Sequence, residues 1–169
     1  MHRFIQYAVL FGVSIALQIF LFDNLQLSIY LHPFVYVVFI LLLPMEIPGY
    51  FLLLLAAVTG ITMDFFSGVP GVHTIATVGA AFCRPTLLRL FVGKEIIGDG
   101  GIPNVRRIGA GKFFRYALVF VVIHATVFFA LETLSTIGIL FTGLRIGIST
   151  ACNLAVIWAV QRLFGQGIK

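Results

Sequence analysis

The sequence predicts an all-α integral membrane protein with about six transmembrane helices in a single transmembrane domain, residues 1–169. Two observations predict this fold class. Hydrophobic residues make up 60% of the chain and charged residues only 10%, whereas soluble domains carry roughly 25% charged residues. The hydrophobic residues also fall into long runs separated by short polar turns. Cys83 and Cys152 lie within such runs, which indicates packing residues and not a disulfide.

The apolar runs define the spans in chain order. The first span covers residues 4–22, close to the roughly 20 residues that a membrane crossing needs. The run 34–43, which follows Pro33, is too short to cross alone, so the second span either begins earlier, near Leu27, or enters the membrane obliquely. Residues 93–112 are rich in Gly and basic residues without a helical period, which predicts a loop. The remaining spans are predicted at 50–63, 72–90, 113–134 and 139–163.

The basic residues predict the orientation of the chain. Six spans place both termini on one side of the membrane, and all but one of the 11 Lys and Arg residues fall on that side. Basic residues flanking spans mark the cytoplasmic side, so both termini and the 93–112 loop are predicted to be cytoplasmic. The exception is Arg145. The ten residues on the cytoplasmic side are Arg3, Arg84, Arg89, Lys94, Arg106, Arg107, Lys112, Arg115, Arg162 and Lys169.

The stretch GITMDFFSGVPGVH, residues 60–73, predicts a helical hairpin with its tip at the outer membrane surface. Asp64 ends one apolar run and His73 opens the next. Pro70 and Gly71 between them suit a type II turn, since Gly accepts the positive φ that this turn requires. A plain connecting turn with a solvated carboxylate is the alternative interpretation.

Two spans carry small residues at every fourth position, which places them on one helix face. Such faces allow close helix contact within a membrane. Either they pack inside the protein or they dock another protein, and for the last span we expect a protein contact. The residues are Ala8, Gly12 and Ala16 in the first span, and Gly143, Gly147 and Ala151 in the last.

Arg145 lies on nearly the opposite side of the last span, with Ser149 and Asn153. A charge at that depth is expected to face the bundle and not lipid. Its candidate partners are the outer-side carboxylates Asp23, Asp64 and Glu132. We favour Asp64, which would tie the third and sixth spans together at the outer face.

The sequence offers little that predicts catalysis or cofactor binding. The His residues lack metal-ligand spacing, no Gly-rich phosphate loop follows a strand, and Asp64, Ser67 and His73 lack the specificity of a hydrolytic triad. We therefore expect no enzyme, cofactor or metal site. His124, in the middle of the fifth span, is either bonded to a neighbouring Ser or Thr or part of a proton relay. The basic loop is either a topology signal or a dock for anionic lipid or an acidic protein.

Several features, taken in order, resemble the MreD family, the small membrane subunit of the bacterial rod-shape machinery, or elongasome. They are Asn24-Leu25 after the first span, Pro33-Phe34 opening the second, Pro44 in the first cytoplasmic turn, Gly60 with Asp64, and Gly71 with His73. The resemblance covers essentially the whole chain. Its most distinctive part is the hairpin pattern G-x-x-x-D…G-x-H.

The resemblance implies a non-enzymatic scaffold of cell-wall elongation in the bacterial inner membrane. Such a scaffold binds MreC, and with it acts on MreB filaments, RodA and a penicillin-binding transpeptidase, without nucleic acid. The family also resembles in fold the substrate-binding S components of energy-coupling-factor vitamin transporters. An S component is therefore the alternative function. The small face of the first span resembles an S-component docking stripe, but the short outer loops offer few polar groups to bind a vitamin.

Overall fold

The computed structural model describes residues 2–22, 33–132 and 139–164, and every regular element within these ranges is helical. A π-helical turn, Gln18–Phe22, follows α1. The α-helices are α1 His2–Leu17, α2 Val37–Leu41, α3 Gly49–Ser67, α4 Val72–Phe91, α5 Lys94–Gly98, α6 Val105–Ile108, α7 Ala110–Glu132 and α8 Ile139–Phe164.

Three of the described helices are long and apolar enough to cross a membrane: Gly49–Ser67, Ala110–Glu132 and Leu140–Arg162. The protein therefore has the character of a helical membrane protein, with fewer qualifying helices than the six predicted spans. α4 is long enough to cross, since its 20 residues span about 30 Å at 1.5 Å per residue. It carries Arg84 and Arg89, however, and is not among the three apolar helices. The apolar part of α1, Tyr7–Phe20, is shorter.

The run 34–43 differs from the predicted second span. It contains only the five-residue helix α2, flanked by turns. A start near Leu27 lies outside the described residues, as do Asp23 and the Asn24-Leu25 pair. Every residue from 33 to 43 is buried, so this segment is a short internal element that the longer helices surround.

The prediction of a loop at 93–112 was wrong in part. The segment contains α5, α6 and the first residues of α7. The Asn104 side chain caps α6 by accepting a hydrogen bond from the Arg107 backbone N–H at 2.8 Å, a local signal that a search for long apolar periods does not detect. Met45 donates its backbone N–H to the Gly101 carbonyl at 2.9 Å. This contact docks the segment against the turn before α3.

α4 lies at the centre of the helix packing, in contact with α3 on one side and α7 on the other, and α7 in turn packs on α8. α2 contacts α1, α3, α4 and α7. The Phe34 ring lies 4.7 Å from that of Phe128 and 4.9 Å from that of His124, measured between centroids. Aromatic packing therefore holds the start of the internal segment against α7.

The predicted hairpin forms between α3 and α4. Gly68 has φ +68° and closes the C-terminus of α3, and Gly71 has φ +87° and ψ −19° directly before α4. The Gly71 values match the third position of a type II turn. The positive φ expected of Gly71 is confirmed.

Candidate functional site

The N-terminal side of the internal segment is held by side chains from two other helices. Asn153 of α8 accepts a hydrogen bond from the Phe34 backbone N–H, and Gln18 accepts one from that of Val35, each at 2.7 Å. A backbone N–H inside a membrane protein has no water to bind, so an internal acceptor removes a cost of several kcal/mol. The side-chain amides of Asn153 and Gln18 therefore fix where the internal segment starts.

The C-terminal side of the same segment is held by Arg84 of α4. Its guanidinium group donates to the carbonyl oxygens of Leu41, Leu43 and Pro44. Its Nε also donates to the Tyr116 hydroxyl at 3.0 Å, and that hydroxyl donates to the Leu41 carbonyl at 3.1 Å. The planar fork of an arginine suits such a set of acceptors. Arg84, assigned from the sequence to the cytoplasmic topology charges, is 1% exposed and acts as an internal C-terminal cap.

Tyr36 connects two histidines within the core. Its hydroxyl lies 2.9 Å from His73 Nδ1 and 3.0 Å from His124 Nε2. Because a phenol has one proton, Tyr36 donates to one ring nitrogen and accepts from the other, so the tautomers of the two histidines are linked. The expectation that His124 bonds a neighbouring Ser or Thr was wrong for its Nε2, which bonds the Tyr36 hydroxyl. His73 is a core residue that joins α4 to Tyr36, the residue before α2.

Asp64 caps α4 from across the hairpin. Its Oδ1 accepts the His73 backbone N–H at 2.8 Å, and its Oδ2 accepts the Thr74 backbone N–H at 3.1 Å and the Thr74 hydroxyl at 2.5 Å. Gly71, the residue before α4, has no side chain to do this. A carboxylate at a helix N-terminus also interacts favourably with the helix dipole. Asp64 thus has the bonded role that the sequence predicted, with a different partner.

Gly60 allows the hairpin to close. A Cβ atom at this position would lie 2.4 Å from the Thr74 Cα, far inside contact distance. Because Gly60 precedes Asp64 by one helical turn, the close approach and the cap act on the same end of α4. The pattern G-x-x-x-D…G-x-H therefore describes one structural unit made of Gly60, Asp64, Gly71 and His73.

Arg145 forms its ion pair with Glu132, and the favoured Asp64 pairing was wrong. Arg145 Nη1 lies 2.8 Å from Glu132 Oε2, and the guanidinium carbon lies 4.5 Å from the centre of the Phe129 ring. The two helices that carry this pair are consecutive and packed together, whereas Asp64 is occupied by the start of α4. Arg145 is 4% exposed, which confirms that it faces the bundle.

Both small-residue faces are open within the part of the chain that the structure describes. A Cβ atom added at Gly12, Gly143 or Gly147 would have no neighbouring atom within 4 Å. The six predicted face residues are all exposed: Ala8, Gly12, Ala16, Gly143, Gly147 and Ala151. The outward direction of the α8 face is therefore confirmed, while the protein contact expected there stays a prediction.

Four buried polar atoms on α7 and α8 have no hydrogen-bond partner within the described residues. They are His124 Nδ1, Arg145 Nε, Thr150 Oγ1 and Asn153 Nδ2. Buried polar atoms are nearly always bonded to protein or water. These atoms are therefore candidates for contact with water or a small polar ligand.

The sequence did not predict the internal hydrogen-bonding roles of four residues: Arg84, Tyr116, Gln18 and Tyr36. One signal was available, because a run too short to cross a membrane must leave helix ends that other residues satisfy. An arginine within an apolar run was a candidate for that task.

Within the described residues, no group of three or more His, Cys, Asp or Glu side chains is placed to hold a metal ion. The chain thus combines an internal polar framework with two open helix faces. No protein-family model, curated protein or solved structure matches this chain.

Proposed function

We propose that the protein is a non-enzymatic membrane scaffold of the kind that the MreD resemblance implies. In this role it binds MreC in the bacterial inner membrane and helps to position MreB, RodA and a penicillin-binding transpeptidase during cell-wall elongation. The observation that carries the proposal is the pair of small-residue faces on α1 and α8, which stay open after the chain has packed.

Open faces of this kind favour binding of a transmembrane helix. Between helices in lipid, association depends on close van der Waals packing, and small residues let two backbones approach. Gly147 in particular presents bare backbone to the exterior. Lipid gains little from such a face, whereas a partner helix gains contact along its length.

The outer hairpin also supports a scaffold more than a ligand-binding protein. A groove of about 410 Å³ beside Asp64 is otherwise lined mainly by apolar residues such as Ile61, Phe65 and Ile75. The carboxylate of Asp64 is already occupied by the start of α4. The hairpin therefore offers a shaped apolar surface with its polar groups satisfied internally.

One observation favours the alternative function, an S component of an energy-coupling-factor vitamin transporter. The buried polar atoms of His124, Thr150 and Asn153 that have no partner in the described residues are suited to bind a polar ligand. In that role the small face of α1 would dock the transporter's coupling protein.

Affinity purification of the tagged protein in mild detergent tests the proposal. We expect MreC to co-purify with the wild-type chain and to be lost with Gly147→Leu, because leucine would separate the two backbones. Ala130→Leu is the matched control, since Ala130 is an exposed small residue on α7, a helix that carries neither face. Thermal unfolding of each variant checks that the monomer is intact.

The alternative predicts a different set of partners. An ATPase pair with a small transmembrane coupling protein would co-purify, and Gly12→Leu would release it. That outcome would replace the scaffold proposal. If Gly147→Leu unfolds the monomer while association is retained, the α8 face is an internal seam.

A further inference from the structure

Arg84 is a buried cation whose hydrogen-bond partners are all neutral. Its three nitrogens bond to backbone carbonyls and to the Tyr116 hydroxyl. Within the described residues, no carboxylate forms an ion pair with it. Dipoles satisfy the donors of a guanidinium group, but they leave its net charge uncompensated in a region of low dielectric constant. An anion nearby would therefore be attracted to it.

A cavity of about 290 Å³ adjoins Arg84 at the end of the bundle that carries residues 93–112. This volume is near the lower end of the roughly 300–1,000 Å³ typical of small-molecule sites. We call it the Arg84 cavity. Its lining includes the charged residues Glu46, Arg84 and Arg89 and the apolar residues Met45, Leu52 and Leu88.

The walls of the Arg84 cavity are built by contacts within the chain. Arg84 and Leu88 lie one helical turn apart on α4, as do Pro85 and Arg89, so one face of α4 forms one wall. The turn before α3 forms another wall, where the Met45 amide binds the Gly101 carbonyl. The site is therefore a built cavity and not a chance gap between surface side chains.

The charges that line the cavity favour an anion. Arg89 is exposed and makes no hydrogen bond or ion pair in the described part of the chain. Glu46 is the opposing charge, but its Oε2 already accepts the Gly101 backbone N–H at 2.6 Å. Two guanidinium groups against one engaged carboxylate give a net positive lining.

We propose that the Arg84 cavity binds a phosphate group, supplied by the headgroup of an anionic membrane phospholipid. Arg89 contacts the phosphate directly, and the buried charge of Arg84 attracts it from behind. The apolar side chains of Leu52 and Leu88 accommodate the glycerol and the first acyl carbons. This site is independent of the MreC-binding face on α8, so either proposal can fail without the other.

Thermal unfolding of the purified protein in a zwitterionic detergent tests the site, with three additives compared at equal concentration. They are phosphatidylglycerol, phosphatidylcholine and inorganic phosphate. We expect phosphatidylglycerol, whose phosphate leaves the headgroup with a net negative charge, to raise the Tm. Phosphatidylcholine should leave the Tm nearly unchanged, because its choline cation neutralises its phosphate. A rise with inorganic phosphate that matches phosphatidylglycerol would support the same phosphate site filled from solution.

Variants assign the effect to the cavity. We expect Arg89→Gln to weaken phosphatidylglycerol binding roughly fivefold, in line with the contribution of one basic residue near an anionic surface. Arg115→Gln removes another exposed charge at the same end of the bundle and is expected to change the affinity less than twofold. Glu46→Gln keeps an acceptor for the Gly101 amide and removes the opposing charge, so it should tighten binding.

Three results would overturn the proposal. One is an equal rise of the Tm with phosphatidylcholine, which would indicate general lipid solvation. Another is equal weakening by Arg89→Gln and Arg115→Gln, which would indicate nonspecific attraction. The third is weaker phosphatidylglycerol binding by the Glu46→Gln variant, provided that its unfolding without lipid matches that of the wild-type protein.

Discussion

Asp64 shows how one side chain organises a hairpin between two helices. It lies in the last turn of α3 and binds the His73 and Thr74 amides, the free N–H groups at the start of α4. The sequence made a bonded acid predictable, because a carboxylate follows Gly60 where an apolar run ends. It did not identify the partner, since the amides become available only after the Gly71 turn has formed.

Removing this cap is expected to destabilise the protein. We predict that Asp64→Ala lowers the free energy of unfolding by about 2 kcal/mol, the upper end for the loss of an N-terminal cap. Asp64→Asn keeps one acceptor oxygen, so it should cost about half as much. Thermal or denaturant unfolding in detergent measures both effects.

Asp99→Ala is the matched control, because Asp99 is exposed on the segment after α5. We expect it to change the unfolding free energy by less than about 0.5 kcal/mol. Equal losses for Asp64→Ala and Asp99→Ala would refute the capping role.

The Arg145–Glu132 ion pair supplies a second test at the scale of residues. Arg145 has a side-chain exposure of 5% and Glu132 of 34%. Arg145→Glu and Glu132→Arg should each lower the free energy of unfolding by about 2 kcal/mol, since one member of the pair is partly solvated. The double exchange should recover part of this loss. Chemical denaturation of the four proteins measures this coupling.

The control exchange is Arg145→Asp with Asp64→Arg. It should show no recovery, because Asp64 binds backbone amides and not Arg145. Recovery in this exchange and none in the other would mean that the third and sixth predicted spans are joined directly.

At the scale of elements, α3 and α4 approach so closely at Gly60 that a Cβ atom there would meet the Thr74 backbone. Their packing depends on the absence of a side chain at Gly60, which a pattern of apolar residues does not reveal. The bounds of α4, α7 and α8 lie within three residues of the predicted runs, because long apolar runs specify helices well. α3 extends four residues past its predicted end. The five-residue α2 was not predictable in this way, since its ends depend on Arg84 and Asn153 from distant parts of the chain.

A pair of glycine substitutions tests the close approach. Gly60→Ala should lower the unfolding free energy by about 1–3 kcal/mol, the usual cost of overpacking, because the new methyl group would meet the Thr74 backbone. Gly79→Ala lies in open space on α4 and should stabilise the helix by up to about 1 kcal/mol. Unfolding in detergent distinguishes the two, and a neutral Gly60→Ala would show that the two helices can separate at no cost.

At the scale of the whole molecule, the asymmetry of basic residues predicts the orientation in the membrane. Arg84 is an internal cap, but exposed residues such as Arg89, Arg106 and Arg115 still lie at one end of the bundle. Asp64 and Glu132 lie at the opposite end, which agrees with the alternating direction of α3, α4 and α7. Composition and charge therefore predict the layout, while the internal polar contacts require the folded chain.

Cysteine labelling tests the orientation. Within the 93–112 segment, Gly100 is a poor position for the introduced cysteine, because it has φ +67° and a Cβ there would meet the Glu46 carboxylate. Gly98 is exposed with open space around it. In a variant without Cys83 and Cys152, we expect Gly98→Cys to resist an impermeant reagent in intact spheroplasts and to react after permeabilisation.

Val69→Cys, at the exposed hairpin turn, is the control and should react in intact spheroplasts. The opposite labelling of Gly98→Cys and Val69→Cys would reverse the proposed topology.

Site-specific photocrosslinking in living cells tests the scaffold proposal most directly. A photoreactive amino acid at Ala151, on the open face of α8, is predicted to form an adduct with MreC, whereas the same group at the exposed Ala130 of α7 should not. Gly147→Leu, combined with the Ala151 probe, should remove the adduct. An Ala151 adduct with a second copy of this chain or with a transporter coupling protein, in place of MreC, would contradict the proposed function.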